Sequence, residues 1–177
     1  PLLRMQTNFW KQLCTPEYFT DTDGNACYLK GKKSLNDGEK YLIIPSYSPE
    51  NHPKGYESTI TANAAMDISA ARDGLRMNIE VEKILKFEGY EDRISEIQNF
   101  EKLLPDYKFD DSGALCEWSM KGYEENNVHR HISHLYCAWP AYETQHSKVL
   151  TDACNQAIEN RNTENKGHDD TASHGWV

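Results

Sequence analysis

The sequence predicts an all-α fold in which helices are joined by long polar connections. Apolar residues recur at steps of three and four residues along several stretches of the chain, which is the spacing of a helix with one buried face. Proline or glycine follows three of these stretches, as is common after helix ends. A short run at residues 41–44 has the composition of a strand.

The predicted helices follow from this spacing and from the residues that end it. They cover residues 2–13, 61–87, 94–104 and, more weakly, 147–159. Pro16, Gly89 and Pro105 follow the first three. The connections at residues 105–128 and 160–175 are longer than a compact helical domain needs, which is typical of loops that carry function.

A rigid loop is predicted between the first two helices. Residues 21–40 are rich in Asp, Gly, Asn and Lys, and residues 41–44 then run into a segment with two prolines. Proline fixes its own φ and biases the residue before it away from the helix. We therefore expect residues 48–50 to be extended, with Glu50 displayed on the loop.

Composition and charge exclude several classes of protein. Four Trp, ten Tyr and five Phe among 177 residues indicate a folded chain. The chain carries 19 Lys and Arg against 28 Asp and Glu, with no basic run, so we expect no nucleic-acid partner. No apolar run reaches the length of about 18 residues that a membrane-spanning helix needs, and the five cysteines, without a CxxC pair, are expected to be buried free thiols.

The densest group of chemically active residues is Asn126-Asn-Val-His-Arg-His-Ile-Ser-His-Leu-Tyr-Cys137. One interpretation is a zinc site formed by His129, His131, His134 and Cys137, but the spacings of common zinc motifs are missing, so we expect no metal and no cofactor. His134 has an alternative role as a core histidine with satisfied hydrogen bonds, packed with Leu135, Tyr136 and Trp139.

A sugar site is the other interpretation of this group. Imidazole and guanidinium groups at His129, Arg130 and His131 suit sugar hydroxyls, which need donors and acceptors in fixed directions. The apolar face of a sugar needs an aromatic ring, which Trp118, Tyr136 or Trp139 would supply unless these rings belong to the core.

Five motifs in the same order resemble the catalytic domain of glycoside hydrolase family 95. They are Pro45-Ser-Tyr-Ser-Pro-Glu-Asn51, Ala65-Met-Asp67 with Ala71-Arg72, Cys116-Glu-Trp118, His129-Arg-His-Ile-Ser-His-Leu-Tyr136 and His174-Gly-Trp176. The family includes α-1,2-L-fucosidases and α-L-galactosidases, and its catalytic domain is an (α/α)6 barrel. The resemblance therefore implies that residues 1–177 are a single segment, an incomplete part of such a domain with a partial (α/α)6 barrel of helical hairpins. The chain departs from the family at Cys137 and Ala141, where the family commonly has Gly.

The resemblance also implies roles for individual residues. Glu50 matches the general acid, while Arg130 and His131 match residues that hold the sugar; Asn51 and His129 are expected to join them in binding substrate. A general acid must be protonated near neutral pH, so we expect Glu50 to be buried with a raised pKa. The alternative is that Glu50 is an exposed loop carboxylate.

The water-activating residues are expected outside this chain. The family inverts the anomeric centre with water activated by two Asn side chains and an Asp. Asp67, Asp169 and Asp170 do not lie in the matching motif, and Asp67 is expected to make a structural hydrogen bond. The predicted partners are a fucosylated or L-galactosylated oligosaccharide and the remainder of the catalytic domain. The rivals are a phosphorylase built on a helical barrel and a non-catalytic carbohydrate-binding or interaction module.

Overall fold

The computed structural model describes residues 1–165, with four α-helices, five short strands and two 3-10 helices. The α-helices are α1 (Leu2–Leu13), α2 (Ala65–Leu85), α3 (Tyr90–Glu101) and α4 (Lys148–Asn165). The strands are β1 (Tyr18–Thr20), β2 (Ala26–Tyr28), β3 (Lys40–Tyr41), β4 (Ser46–Tyr47) and β5 (Ile60–Thr61). The 3-10 helices are Ser133–Cys137 and Glu143–His146.

The prediction of an all-α fold is wrong, because two small antiparallel sheets accompany the helices. One sheet has the order β2-β1-β3, and the other pairs β4 with β5. The turn between β1 and β2 is fixed by Asp21, whose Oδ1 accepts the backbone N–H groups of Asp23 at 3.0 Å and Asn25 at 2.8 Å. The fold is therefore mixed, and a complete (α/α)6 barrel is not shown.

The first three helices pack around one core with α2 at its centre. Ile68, Leu75 and Ile79 of α2 are buried together with Trp10 of α1 and Phe100 of α3. The helices predicted at residues 2–13, 61–87 and 94–104 are confirmed, although Leu2, Met5 and Phe9 of the apolar stripe of α1 are exposed and not part of this core.

The boundaries of α2 differ from the predicted range of residues 61–87. Thr61 pairs with Ser46 between β5 and β4, so the helix begins only at Ala65. At the other end Lys86 adopts a left-handed conformation with φ 47°, which terminates α2 before Gly89. Gly89, with φ 72°, instead precedes α3.

A second core forms around α4. Leu150, Ala153 and Ala157 pack against Leu115 and Leu135, which belong to the long connection between α3 and α4. The helix continues from the predicted stretch to Asn165, so the connection expected from residue 160 begins as helix. The remainder of that connection and the His174-Gly-Trp176 motif lie outside the described residues.

All five cysteines are free thiols, as expected. Four are buried, whereas Cys27 is half-buried in the β1–β2 hairpin. Within residues 1–165, no helix combines the length and the apolar character needed to cross a membrane.

Candidate active site

The turn that carries Glu50 follows directly after β4. The Asn51 N–H donates to the Ser48 carbonyl at 3.1 Å, which closes a four-residue turn. Pro49 occupies the second position and Glu50, with φ 57°, the third, an arrangement typical of a type II turn. The expectation that Glu50 would be extended is therefore wrong, because the turn requires a positive φ at this position.

The base of this turn is fixed to α2. Asp67 Oδ2 accepts hydrogen bonds from Ser46 Oγ at 2.6 Å and from the Tyr47 N–H at 3.0 Å. Ser46 Oγ in turn accepts the Ala64 N–H at 2.8 Å. This confirms the structural role expected for Asp67, while Asp169 and Asp170 lie outside the described residues.

Glu50 lies against the histidine-rich loop although 80 residues separate them in sequence. The Arg130 guanidinium contacts Glu50 Oε2, and His131 Nε2 lies 3.0 Å from the same oxygen. The Glu50 side chain is 54% exposed. Three of the predicted site residues therefore form one polar patch on the surface.

The protonation of Glu50 differs from the expectation. The hydrogen bond from His131, followed by the positive charge of Arg130, holds the pKa of Glu50 below its ordinary value. The prediction that burial raises this pKa is wrong, because the side chain is exposed and lies next to cationic groups. These contacts therefore favour the ionised form of Glu50.

His129 completes the patch from the side nearest Pro49. Its ring stands edge-on to that of His131, with centroids 5.0 Å apart, and its Nε2 lies 3.3 Å from the Pro49 carbonyl oxygen. Partial burial lowers the pKa of His129. The ring is therefore neutral near pH 7, with one nitrogen protonated and the other able to accept.

Asn51 lies beneath the turn and is only 1% exposed. Its Nδ2 donates to Glu117 Oε2 at 2.6 Å and to the Asn126 carbonyl at 3.2 Å. Its Oδ1 accepts from the His52 N–H at 2.9 Å and from Asn126 Nδ2 at 3.1 Å. The Asn51 amide therefore lies beneath the surface patch, and both its Nδ2 and its Oδ1 are hydrogen-bonded to other protein groups.

A buried ion pair beneath the patch was not predicted. Arg161 of α4 donates to Glu117 Oε2 at 2.8 Å, and the two side chains are 1% and 0% exposed. Burial alone would raise the pKa of Glu117, but His134, Arg161 and the Ser48 hydroxyl outweigh it and the pKa lies below its ordinary value. Glu117 lies in the Cys116-Glu-Trp118 motif, for which no role was predicted from the sequence, whereas a lone arginine on an amphipathic helix gives no signal.

Of the four zinc ligands considered from the sequence, His134 and Cys137 do not join His129 and His131 in any metal-binding group of the described residues. His134 is buried, and within the described chain its Nδ1 has no hydrogen-bond partner, while Cys137 Sγ lies 3.6 Å from Cys154 Sγ. The ligand atoms of Glu50, His129 and His131, by contrast, lie within 4.8 Å of one another. Since Arg130 already neutralises Glu50, a dication there would meet electrostatic repulsion.

The three aromatic residues considered for sugar stacking have different environments. Trp118 is fully buried, which places it in the core, and Tyr136 is half-buried. Trp139 is 72% exposed, so its ring is accessible to a ligand. His134 is buried as expected, but its Nδ1 has no hydrogen-bond partner within residues 1–165, and the exposed Trp139 does not share the core with it.

Comparison with known proteins gave one result. A model of the glycosyl hydrolase family 95 catalytic domain matches residues 24–176. This range contains the turn of Glu50, the histidine-rich loop and the buried ion pair. A search of curated proteins found no match.

Proposed function

The chain belongs to glycosyl hydrolase family 95, and from this membership we propose that its parent domain releases terminal α-linked L-fucose, or L-galactose, from oligosaccharides with inversion. Glu50 is the general acid, and His129, Arg130 and His131 bind the sugar. Residues 1–177 are an incomplete part of the catalytic domain, whose remainder supplies the water-activating groups.

The observation that carries this proposal is the convergence of Glu50 with Arg130 and His131. One carboxylate, one guanidinium and one imidazole meet at an exposed patch from segments 80 residues apart. A general acid and the donors that orient a sugar need this proximity, because the glycosidic oxygen and the ring hydroxyls lie within a few ångströms of each other.

Substrate binding offers a route to the protonated acid. When Arg130 and His131 donate to sugar hydroxyls, they withdraw the two interactions that lower the pKa of Glu50. A sugar lying over the patch also removes water from a side chain that is otherwise 54% exposed. Both changes raise the pKa, so that Glu50 can carry a proton to the glycosidic oxygen as the bond breaks.

Substitution of Glu50 in the full-length protein tests its proposed role as the general acid. Replacing Glu50 with Gln is expected to lower kcat for a 2′-fucosyl oligosaccharide about 10²–10⁴-fold, because the leaving oxygen departs unprotonated. The loss with α-L-fucosyl fluoride is expected to be much smaller, since fluoride leaves with little protonation. Release of fucose and of fluoride measures the two rates.

Glu57→Gln is the matched control, since Glu57 is an exposed carboxylate seven residues further along the same connection. It is expected to leave both rates unchanged. Equal losses on the two substrates after Glu50→Gln would contradict the general-acid role. A wild-type protein that binds the sugar without turning it over would support a non-catalytic module instead.

A further inference from the structure

We propose that Glu117 and Arg161 are positioning residues for the reaction, because their buried ion pair fixes the turn of Glu50 relative to the His129–His131 loop. This inference rests on the proposed function, since it concerns how the acid is placed against the sugar-binding groups. Both side chains lie below the surface, and they act through the segments they hold.

Glu117 binds both sides of the turn that carries Glu50. Its Oε1 accepts the Ser48 hydroxyl at 2.5 Å, and its Oε2 accepts Asn51 Nδ2 at 2.6 Å. Ser48 and Asn51 are the first and last residues of the turn, with Pro49 and Glu50 between them. One carboxylate therefore fixes both ends of the segment whose middle displays the acid.

Arg161 binds the other loop. Its Nη1 donates to the carbonyl oxygens of Asn126 at 2.8 Å and His129 at 3.3 Å, while its Nη2 holds Glu117. The His129 carbonyl belongs to the peptide unit that leads directly into Arg130. The planar guanidinium thus sets the angle and distance between the carboxylate and the backbone of the sugar-binding loop.

The chemistry of the pair favours a positioning role over a purely stabilising one. A buried ion pair gains little net stability over apolar residues of similar volume, because both charges must be stripped of water. What apolar residues cannot supply is a set of directed, charge-assisted hydrogen bonds to two separate loops. The side-chain pairing of Asn51 with Asn126, at 3.1 Å, adds a direct link between the same two loops.

The test compares three variants of the full-length protein with the wild type. Arg161→Lys keeps the charge but offers a single nitrogen in place of the two that reach the loop carbonyls and Glu117. Glu117→Gln keeps the shape but loses the charge. Ser48→Ala is a milder change that removes only the contact with Oε1. Ser58→Ala is its matched control, since Ser58 is exposed and its hydroxyl bonds only locally, to Ile60.

We expect kcat on a 2′-fucosyl oligosaccharide to fall about 10²-fold for Arg161→Lys and Glu117→Gln, the loss that a misplacement of about 1 Å produces. For Ser48→Ala we expect a loss of about tenfold. In each case kcat on α-L-fucosyl fluoride should fall less, because that substrate depends little on the acid. Ser58→Ala should match the wild type on both substrates.

The ratio of the two rates separates positioning from general destabilisation. If Arg161→Lys or Glu117→Gln fails to fold, Ser48→Ala still decides the question. Folded variants with unchanged kcat, or with equal losses on both substrates, would overturn the inference. If Glu50→Gln lowers the oligosaccharide rate selectively while these variants do not, the inference fails and the proposed function stands. If the wild type has no turnover, both fail.

Discussion

At the scale of single residues, Glu125 is the one carboxyl group within residues 1–165 with a resolved upward shift of its pKa. Its Oε2 accepts the Glu117 N–H at 2.8 Å, while its Oε1 is buried and has no partner within residues 1–165. Burial raises the pKa of Glu125 to about 7, with the negative charge of Glu117 contributing in the same direction. Near neutral pH this carboxyl is therefore only partly ionised.

The stability of the protein is expected to depend on pH through Glu125. In the unfolded chain the carboxyl releases its proton near the ordinary value of 4.5, but in the folded chain it keeps the proton until pH is about 7. The folded state thus binds more protons between these values, and stability falls as pH rises through this window.

Glu125→Gln removes this dependence. As pH rises from 4.5 to 7.5, we expect the free energy of unfolding of the variant to increase by about 1–3 kcal/mol relative to that of the wild type. Urea unfolding of both proteins at several pH values measures the difference. A difference that stays constant across this range would contradict the assignment.

The residues of the surface patch were predictable from the sequence, but the buried residues beneath them were not. Glu50, Arg130 and His131 were recognisable because they lie in dense motifs, and the structure brings them together. The exposure of Glu50 and the burial of Asn51 were not predictable, since adjacent residues of a turn can point in opposite directions. Arg161 gave no local signal, because its role depends on contacts with segments up to 44 residues away.

At the scale of secondary-structure elements, α2 organises the larger core. Leu75 lies at the middle of the helix and is fully buried among residues of α1 and α3. A cavity at this position would be surrounded by three elements that pack on one another. Helix packing here is thus sensitive to the loss of a single side chain.

Leu75→Ala is expected to destabilise the protein by about 2–5 kcal/mol, through lost apolar burial and the cavity left behind. Leu29→Ala, the same substitution at an exposed position after β2, is expected to change stability by less than about 0.5 kcal/mol. Chemical denaturation of both variants provides the comparison. Similar losses at the two positions would show that α2 does not form the centre of the core.

The helices were predictable from sequence because apolar residues recur along each of them at helical spacing, most weakly along α4. The strands were not, because two or three residues are too few to establish an alternating pattern. Residues 41–44 illustrate the limit. Only Tyr41 belongs to a strand, while Leu42 and Ile43 are buried beyond its end and the Leu42 N–H still donates to the Tyr18 carbonyl of β1 at 3.0 Å. The apolar character of these residues correctly indicated that Leu42 and Ile43 are buried, but it indicated only part of their backbone pairing.

At the scale of the whole molecule, α1 and the end of α2 both carry exposed apolar side chains. Contacts of Arg4 with Glu82 and of Thr7 with Asn78 bring the start of α1 beside the end of α2. α1 exposes Leu2, Met5 and Phe9, which recur at helical spacing, and the end of α2 with the residues after it exposes Ile84, Leu85 and Phe87. An exposed apolar stripe on one helix face, such as Leu2, Met5 and Phe9 form on α1, commonly marks an interaction site. This supports the proposal that residues 1–177 are part of a larger domain.

Polar substitution of these exposed side chains is expected to improve the solubility of the isolated chain and to destabilise the full-length protein. In the isolated chain, Met5→Gln with Ile84→Gln should increase the soluble fraction and reduce binding of an apolar dye. In the full-length protein the same pair should lower the free energy of unfolding by about 2–5 kcal/mol, since two buried apolar contacts are lost. Sedimentation and urea denaturation measure these effects.

An unchanged stability of the full-length variant would show that Met5 and Ile84 remain exposed in the parent domain.

We also expect the isolated 177 residues to release no fucose, because the proposed water-activating groups belong to the remainder of the domain.

The ion pair of Glu117 and Arg161 has a consequence for how such sequences diverge. Removing one partner leaves the other charge buried and unpaired, which is costly, whereas joint replacement by neutral residues is tolerated far better. Substitutions at the two positions should therefore accumulate together during evolution. A descendant that has replaced both while retaining the buried stripes of α2 would be recognisable as a lineage that preserved the fold after selection on turnover had been relaxed.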